Sequence, residues 1–331
     1  MNMKKFLCLL WTVAAFGFSS CSIHVSKEVY NNSAEYAAGK YLLAEDYFKG
    51  TKLHPQDRAK AYQLYKASAD MNYAPAMFRL AAFYDRGDVV EKDPQMYIQL
   101  LTKAAQLGED RAQNSLGVCY HDGVGVKQDY AVARHWYEKA LENGNTKALE
   151  NISFLCADQK DTLGMKKYVA MGVERGLARS QFLMAEMYRQ GIGVEKDLAQ
   201  AEEWYKKAAE NGYLSAYSSL SVIQFDRKDY KATWKFVSEG MNKGDTNAFY
   251  NAGFLCEHGL GVEADCLLAT QYYQHAIQYE NGNQARAYFQ LGRILYEGCD
   301  KVERDEQKGL EYIRKAAQMG NPEAKEYKVT K

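Results

Sequence analysis

One pattern recurs along most of this chain and limits the folds that it can adopt. Residues 177–212 show it in full: an apolar stripe at helical spacing, a glycine turn, a second stripe and a closing glycine. Asp197 precedes the second stripe, and Gly212 closes it. Aspartate accepts hydrogen bonds from the free N–H groups at a helix start, and glycine adopts the left-handed backbone that ends a helix. The pattern therefore predicts two helices joined by a tight turn.

The capping aspartate and the closing glycine recur together along the chain, at matching intervals. The capping aspartates are Asp57, Asp93, Asp129, Asp161, Asp197, Asp229, Asp265 and Asp305, with successive differences of 36, 36, 32, 36, 32, 36 and 40 by subtraction. The closing residues are Asn72, Gly108, Gly144, Gly176, Gly212, Gly244, Gly282 and Gly320. Such a period is typical of helical solenoids, in which each unit buries its apolar stripe against its neighbours. We predict eight units, 34–72, 73–108, 109–144, 145–176, 177–212, 213–244, 245–282 and 283–320, and a capping segment, 321–331.

A family resemblance rests on residues 109–144. Their motifs, Leu116-Gly117, Gly123-Val124-Gly125-Val126, Asp129, Trp136-Tyr137, Lys139-Ala140 and Gly144, resemble the Sel1-like repeat, a relative of the tetratricopeptide repeats. The resemblance covers about residues 34–320 and implies an all-α fold, an α/α superhelical solenoid with its first helices on a concave face. The family serves widely as scaffold and adaptor, but the resemblance does not imply a particular ligand. Our hypothesis is a protein or peptide partner in that groove. Units 145–176 and 213–244 lack the glycine loop and depart from the pattern.

The first residues read as a targeting segment. Lys4 and Lys5 precede an apolar run, Phe6–Phe18, that is shorter than the ~20 residues of a membrane span. Cys21 follows small residues, as in the lipobox of bacterial lipoproteins. This resemblance implies a signal peptide, 1–21, an acylated Cys21 and a polar tether, 22–33, in an exported envelope lipoprotein that faces the periplasm or sits in the outer membrane. Two alternatives remain open: plain secretion after cleavage at Ser22, giving a soluble protein, and an uncleaved anchor.

Charge and cysteine usage limit the remaining functions. The 42 Lys and Arg residues balance the 42 Asp and Glu residues without a basic tract, which argues against a nucleic-acid partner. Cys156 and Cys256 fall on interior stripes and Cys119 lies next to that position, and all three are interpreted as small core residues. Cys266 and Cys299 lie near loops of adjacent units, and whether they pair stays open at this point.

Motifs for chemistry do not stand out. The six histidines form no HExxH or zinc spacing, and the Gly-x-Gly-Val loops follow helices rather than the strands that phosphate loops follow. We therefore predict a protein that is not an enzyme, with no catalytic residues, no metal site and no cofactor.

The remaining candidate site is a surface. The register of the related repeats places Phe78, Phe154, Phe182, Arg189, Tyr250, Phe254, Phe289 and Arg293 along the groove, with Arg111, Arg179 and Arg286 nearby. Aromatic and arginine side chains dominate the binding energy of many protein interfaces. The alternative is that these rings pack between first helices. Two other functions stay open: a solenoid that binds a glycan or small ligand, and a peptidoglycan-directed enzyme or enzyme subunit.

Overall fold

The protein is described here by a computed structural model, which covers residues 33–327. The predicted signal peptide, Cys21 and nearly all of the predicted tether lie outside these residues. Within them the chain forms seventeen α-helices and no strand. The helices are α1 (Ser33–Lys49), α2 (Arg58–Ala69), α3 (Ala74–Arg86), α4 (Pro94–Gln106), α5 (Asp110–Asp122), α6 (Tyr130–Glu142), α7 (Lys147–Asp158), α8 (Thr162–Glu174), α9 (Ala178–Gln190), α10 (Leu198–Glu210), α11 (Ser215–Asp226), α12 (Tyr230–Lys243), α13 (Ala248–His258), α14 (Cys266–Ala276), α15 (Gln284–Glu297), α16 (Glu306–Gln318) and α17 (Pro322–Glu326).

Within each of two compact units, consecutive helices pack as hairpins, and neighbouring hairpins pack against each other. In the first unit, which ends at Gln128, α1 pairs with α2 and α3 with α4. In the second unit, from Asp129 onwards, the pairs are α7/α8, α9/α10, α11/α12, α13/α14 and α15/α16. The predicted all-α class and α/α solenoid architecture are confirmed. Among residues 33–327, no helix is both long and apolar enough to span a bilayer.

Side-chain caps start the second helix of each pair. All eight aspartates of the periodic series accept hydrogen bonds from backbone N–H groups of the helix that follows. Asp197, for example, accepts from the N–H groups of Ala199 and Gln200 at 2.8 and 3.0 Å. These bonds satisfy donors that have no partner inside the helix, so the predicted role of the series is confirmed.

The two short units turn without glycine. In their place, Lys160 and Lys228 adopt the left-handed conformation, with φ of 57° and 61°. That conformation costs an ordinary side chain about 1 kcal/mol. Asp161 and Asp229 follow these lysines directly and cap the second helices. The second helix therefore begins correctly although the turn is shorter than in the units with a glycine loop.

Buried tyrosines and alanines recur in the core of both units. Tyr65, Tyr137, Tyr205 and Tyr273 occupy equivalent places in four second helices, and each is fully buried. Alanines beside them, such as Ala201 and Ala208 around Tyr205, let neighbouring helices approach closely. In these four second helices a large ring therefore fills the space towards the neighbouring helices, and small side chains allow the close approach.

The cysteines divide as the sequence indicated. Cys119, Cys156 and Cys256 are free and buried, which confirms their interpretation as core residues. Cys266 and Cys299 form a disulfide with their Cα atoms 6.7 Å apart. It ties the start of α14 to the loop after α15, where Lys301 also pairs with the capping Asp265 at 2.7 Å.

Candidate functional site

The candidate site lies on the first helices of the second unit, α7, α9, α11, α13 and α15. We call their common side the first-helix face. Two of the predicted residues, Tyr250 and Phe254, meet there at one cleft between α11 and α13. The structure brings these two together and places the other predicted residues elsewhere along the same register or in the first unit.

The cleft has a volume of about 200 Å³ and a mostly apolar lining. Its walls are formed by Ser221, Val222, Phe225, Thr233, Tyr250, Asn251, Phe254 and Leu255. Val222 is 49% exposed although it is apolar, and the rings of Phe225 and Phe254 meet edge to face at 5.9 Å. An accessible apolar hollow with aromatic walls is suited to receiving a side chain from another molecule.

Small residues on α11 open this cleft. Ser221 and Val222 line the cleft with small side chains, which leave it open. The side-chain amide of Asn251 donates a hydrogen bond to the hydroxyl of Ser221 across the cleft at 3.4 Å. The buried carboxylate of Asp245 fixes the start of α11 by accepting hydrogen bonds from the backbone N–H and hydroxyl of Ser218. The walls are therefore held by helix packing and polar contacts, so the hollow exists before any ligand arrives.

Two other predicted phenylalanines are covered by arginines. The guanidinium of Arg111 lies 4.9 Å from the ring centroid of Phe78, and that of Arg179 lies 4.9 Å from the ring of Phe154. Phe154 is still 38% exposed, and Arg179 also pairs with Glu150 at 3.3 Å. In each pair an arginine lies over the ring, and the Phe154 ring remains partly open to solvent.

Phe182 and Arg189 are engaged within the fold. Phe182 packs against Tyr205 and Tyr213, with ring centroids 5.3 and 4.6 Å apart. Arg189 pairs with Glu186 at 2.6 Å. For Phe182 the alternative interpretation, packing between helices, describes its environment better than exposure does.

The last two predicted residues are also covered. Phe289 is only 5% exposed and meets the ring of Tyr327 at 5.7 Å, so its expected place on an open surface is wrong. The segment after α17 supplies that tyrosine, which the register of the repeats could not reveal. Arg293 forms ion pairs with Glu257 and with Glu297, the latter at 3.0 Å, and so joins α13 to α15.

Sequence reasoning missed Val222 and Phe225. The repeat register led us to select aromatic and arginine residues at two fixed positions of each first helix. In α11 these positions hold serine and valine, so no residue of α11 was selected. The sequence signal that could have indicated these residues was the short unit 213–244, in which Phe225 precedes a turn without glycine.

The three buried cysteines of residues 33–327 are poor candidates for a nucleophile. Burial raises the pKa of Cys256 to about 11, and burial also raises the pKa of Cys119 and Cys156. Thiols react as thiolates, so these three are protonated and inert at neutral pH. Across residues 33–327, no group of three or more His, Cys, Asp or Glu side chains is placed to hold a metal ion.

Comparison with known proteins finds relatives that match most of this chain. Chitin synthase regulatory factor 3 of Schizosaccharomyces pombe is 24% identical over 253 residues, which cover 71% of this chain and 27% of that protein. An uncharacterised protein of Neisseria meningitidis is 25% identical over 265 residues, covering 78% of this chain and 54% of that protein. The chain thus spans only about a quarter to a half of these relatives.

A solved structure shows the same fold. The Sel1 repeat protein of Oxalobacter formigenes superposes with a TM-score of 0.65 at 23% identity, and the match covers 96% of this chain and 98% of that one.

The family model for the Sel1 repeat matches residues 37–73, 74–109, 110–145, 178–213, 247–278 and 285–321. The stretches without a match contain the two short pairs, α7/α8 and α11/α12, and the second of these supplies one wall of the cleft. With matches over more than half of its length, the chain belongs to the Sel1 repeat family.

Proposed function

We propose that this protein is a non-enzymatic scaffold that holds a protein partner on the first-helix face of its second unit. The observation that carries the proposal is the apolar cleft between α11 and α13, with Val222 exposed at its mouth. Exposed apolar hollows beside aromatic side chains are where the binding energy of protein interfaces concentrates.

The size of the cleft favours a side chain over a free small molecule. Pockets for drug-sized ligands measure about 300–1,000 Å³ and enclose most of the ligand. At about 200 Å³ and open to solvent, this cleft accommodates one large side chain of a peptide. Its apolar lining also offers few partners for the hydroxyl groups of a glycan.

The names of the relatives support a role beside other proteins. The protein of Schizosaccharomyces pombe is named as a regulatory factor of chitin synthase, and a relative from Arabidopsis thaliana as a component of an E3 ubiquitin-protein ligase. Each name describes a regulator or a component. We extend only that general role to this chain.

We further propose that the chain is an exported bacterial lipoprotein anchored through Cys21. Support comes from the charged and apolar segment before Cys21 and from the disulfide between Cys266 and Cys299. Disulfides persist in oxidising compartments such as the periplasm and are rare in the cytosol. Both features agree with a solenoid displayed on the envelope.

The scaffold proposal is tested by crosslinking in the native cell. Val222→Lys places a charge at the mouth of the cleft, and Val124→Lys is its matched control because Val124 is an exposed valine, 52% accessible, in a turn of the first unit. We expect the captured partner to be lost with Val222→Lys and kept with Val124→Lys. Equal capture by both variants contradicts a role for the cleft.

The anchor is tested separately. Cys21→Ala removes the thiol that would be acylated, and we expect the protein to move from the membrane fraction to the soluble fraction or to accumulate unprocessed. Mass spectrometry of the wild-type N-terminal peptide should show the added acyl chains. An unmodified Cys21, or cleavage after Ser22, contradicts the anchor and favours plain secretion.

A further inference from the structure

The aromatic surface along α15 is covered by a residue of the chain itself. Phe289 stands at one of the predicted groove positions, and Tyr296 follows it two helical turns later. The ring of Tyr327 meets that of Phe289 at 5.7 Å and 77°, and that of Tyr296 at 6.3 Å and 89°. Edge-to-face packing at such distances is a favoured geometry of aromatic pairs. Tyr327 is therefore a side chain bound against two rings of a first helix.

A carboxylate receives the hydroxyl of this tyrosine. Tyr327 donates a hydrogen bond to Glu297, the last residue of α15, at 2.8 Å. Burial and this hydrogen bond raise the pKa of Tyr327 to about 12, so the hydroxyl keeps its proton at neutral pH. The other oxygen of Glu297 pairs with Arg293 at 3.0 Å, which orients the carboxylate independently of Tyr327. We call the surface formed by Phe289, Tyr296 and Glu297 the terminal site.

The walls of the terminal site are held by residues other than its occupant. Phe289 and Tyr296 pack in one cluster with Ile313 and Ala316 of α16. The guanidinium of Arg304 lies 5.4 Å from the ring centroid of Tyr296 and donates to the backbone carbonyl of the same residue at 2.8 Å. Because these contacts come from the α15/α16 hairpin, both rings keep their positions when Tyr327 leaves.

The occupant is attached by few contacts. α17 is five residues long, and the buried Asn321 caps it by accepting from the N–H of Ala324 at 2.7 Å. Ala324 is buried, but Lys325 and Glu326 are exposed, and Tyr327 has an extended backbone with φ of −64° and ψ of 113°. Tyr327 can therefore leave the terminal site by rotation about its own backbone and side-chain bonds, without unfolding α17.

We propose that the terminal site is a second docking position of this scaffold, and that its ligand is an extended segment presenting a tyrosine. The arriving ring takes the place of Tyr327 against Phe289, and its hydroxyl donates to Glu297. The occupant already in the site defines this chemistry, since it is a tyrosine on an extended backbone. A phenylalanine would leave the carboxylate of Glu297 without that donor, so the site prefers tyrosine.

Tyr327 acts as a built-in competitor of such a ligand. It is joined to the terminal site by a few residues, so its effective concentration is high and it closes the site to weak ligands. The apparent affinity for an external tyrosine is reduced to the fraction of molecules in which the site is open. Since none of these residues lines the cleft between α11 and α13, the two docking positions can be tested separately.

Peptide binding to the full chain, purified in detergent, tests this inference. Each short peptide carries one tyrosine, phenylalanine or alanine in a Gly/Ser background, and ligand-observed NMR gives its dissociation constant. We expect the tyrosine peptide to bind Tyr327→Ala at least about tenfold more tightly than wild type, because the competitor is gone. It should bind that variant about fivefold more tightly than the phenylalanine peptide does, the effect of one exposed hydrogen bond. The alanine peptide should not bind.

Three further variants assign these effects. Tyr327→Phe keeps the ring and loses the hydrogen bond, so its affinity for the tyrosine peptide should lie between those of wild type and Tyr327→Ala. Glu297→Ala, added to Tyr327→Ala, should remove the preference for tyrosine over phenylalanine. Lys325→Ala is the matched control, because Lys325 is an exposed residue of α17, and it should bind as wild type does. Circular dichroism checks that each variant is folded.

The outcomes separate a displaceable tyrosine from a fixed one. Equal binding of the tyrosine peptide by wild type and Tyr327→Ala, or no binding by either, overturns the inference. So does a tyrosine peptide that binds Tyr327→Ala no better than the phenylalanine peptide. If Tyr327→Ala does not fold, Tyr327→Phe decides, because an affinity above that of wild type supports displacement and an unchanged affinity contradicts it.

The cleft between α11 and α13 is tested apart from the terminal site. Val222→Lys should leave binding of the tyrosine peptide unchanged, whatever it does to capture of the partner at the cleft. If Val222→Lys abolishes binding of the tyrosine peptide, that peptide occupies the cleft, and the inference about the terminal site is wrong while the scaffold proposal stands.

Discussion

The hydroxyl of Tyr273 on α14 donates a hydrogen bond to Glu257 on α13 across 2.8 Å. Glu257 also receives Arg293 from the first helix of the next pair, so one carboxylate joins three helices. The same relation recurs in the first unit, where Glu45 accepts from Tyr65 at 2.6 Å and pairs with Arg79 at 2.7 Å. A buried tyrosine, a glutamate and the arginine of the next hairpin form a repeated polar link between neighbouring pairs.

Arg293→Ala should destabilise the protein by about 2–3 kcal/mol. The side chain of Glu257 is only 12% exposed, so the variant leaves a poorly hydrated carboxylate without its cation. Tyr273→Phe should cost less, about 1–2 kcal/mol, because the ion pair survives. Urea unfolding at pH 7 measures both.

An exposed ion pair provides the control for these variants. Lys139 pairs with Glu142 at 2.8 Å, and the two side chains are 46% and 64% exposed. Lys139→Ala should cost no more than about 0.5 kcal/mol. Equal losses for Lys139→Ala and Arg293→Ala would mean that Glu257 is effectively hydrated and that the three-helix link contributes little.

Acid should weaken the fold through Glu186. Burial opposes its ionisation, but hydrogen bonds from Arg189, Tyr205 and Gln190 outweigh burial and lower its pKa below the ordinary 4.5. The unfolded chain therefore takes up the proton first as the pH falls. The stabilisation is fully present above about pH 4.5 and is lost as the pH drops through the lower, folded-state pKa.

The Glu186→Gln variant should reveal how much the ionised Glu186 contributes to stability at each pH. At pH 6 the variant should have a lower urea midpoint than wild type, and the difference should shrink as the pH falls from 4.5 towards 3. Glu195→Gln, at an exposed position in the next turn, should leave the pH profile unchanged. A difference between wild type and Glu186→Gln that stays constant over this range contradicts the assigned role of the carboxylate.

The fold could be predicted because its signals are local and repeated. An aspartate cap or a closing glycine acts through the backbone of its own turn, so it does not depend on what packs above it. Asp57 and Asp305 therefore behave alike although they stand at opposite ends of the repeat array. Even Asn72 takes the left-handed place of a closing glycine, with φ of 60°.

The site was less predictable because exposure depends on distant neighbours. Phe289 and Tyr250 hold equivalent places in the repeat register, but Tyr327 covers Phe289, whereas no aromatic ring from residues 33–327 covers the cleft beside Tyr250 in that way. Likewise, the opening between α11 and α13 comes from small side chains at Ser221 and Val222, which a search for aromatic residues passes over.

Gly261→Ala should be far more damaging than Gly144→Ala. Both glycines have positive φ, 75° and 91°. A methyl group at Gly261 would collide with the backbone carbonyl of Tyr230, whereas nothing lies within 4 Å of one at Gly144. We expect Gly144→Ala to cost about 1 kcal/mol from backbone strain and Gly261→Ala about 3 kcal/mol or more.

Urea unfolding compares the two glycine variants directly, since both lie in the second unit. Similar midpoints for the two would show that the loop at Gly261 can move away from α12 at little cost. In that case the close contact between the glycine loop and the preceding hairpin would not be a source of stability.

Removing the disulfide should destabilise the second unit by about 3 kcal/mol. Cys266 and Cys299 are 33 residues apart, so their bond removes many conformations from the unfolded chain. The Cys266→Ser/Cys299→Ser variant should unfold at lower urea than oxidised wild type. Dithiothreitol should lower the wild-type midpoint to that of the variant and leave the variant itself unchanged, because Cys119, Cys156 and Cys256 are free. A wild-type midpoint that does not respond to dithiothreitol, together with two titratable thiols at Cys266 and Cys299, would contradict the bond and weaken the inferred oxidising compartment.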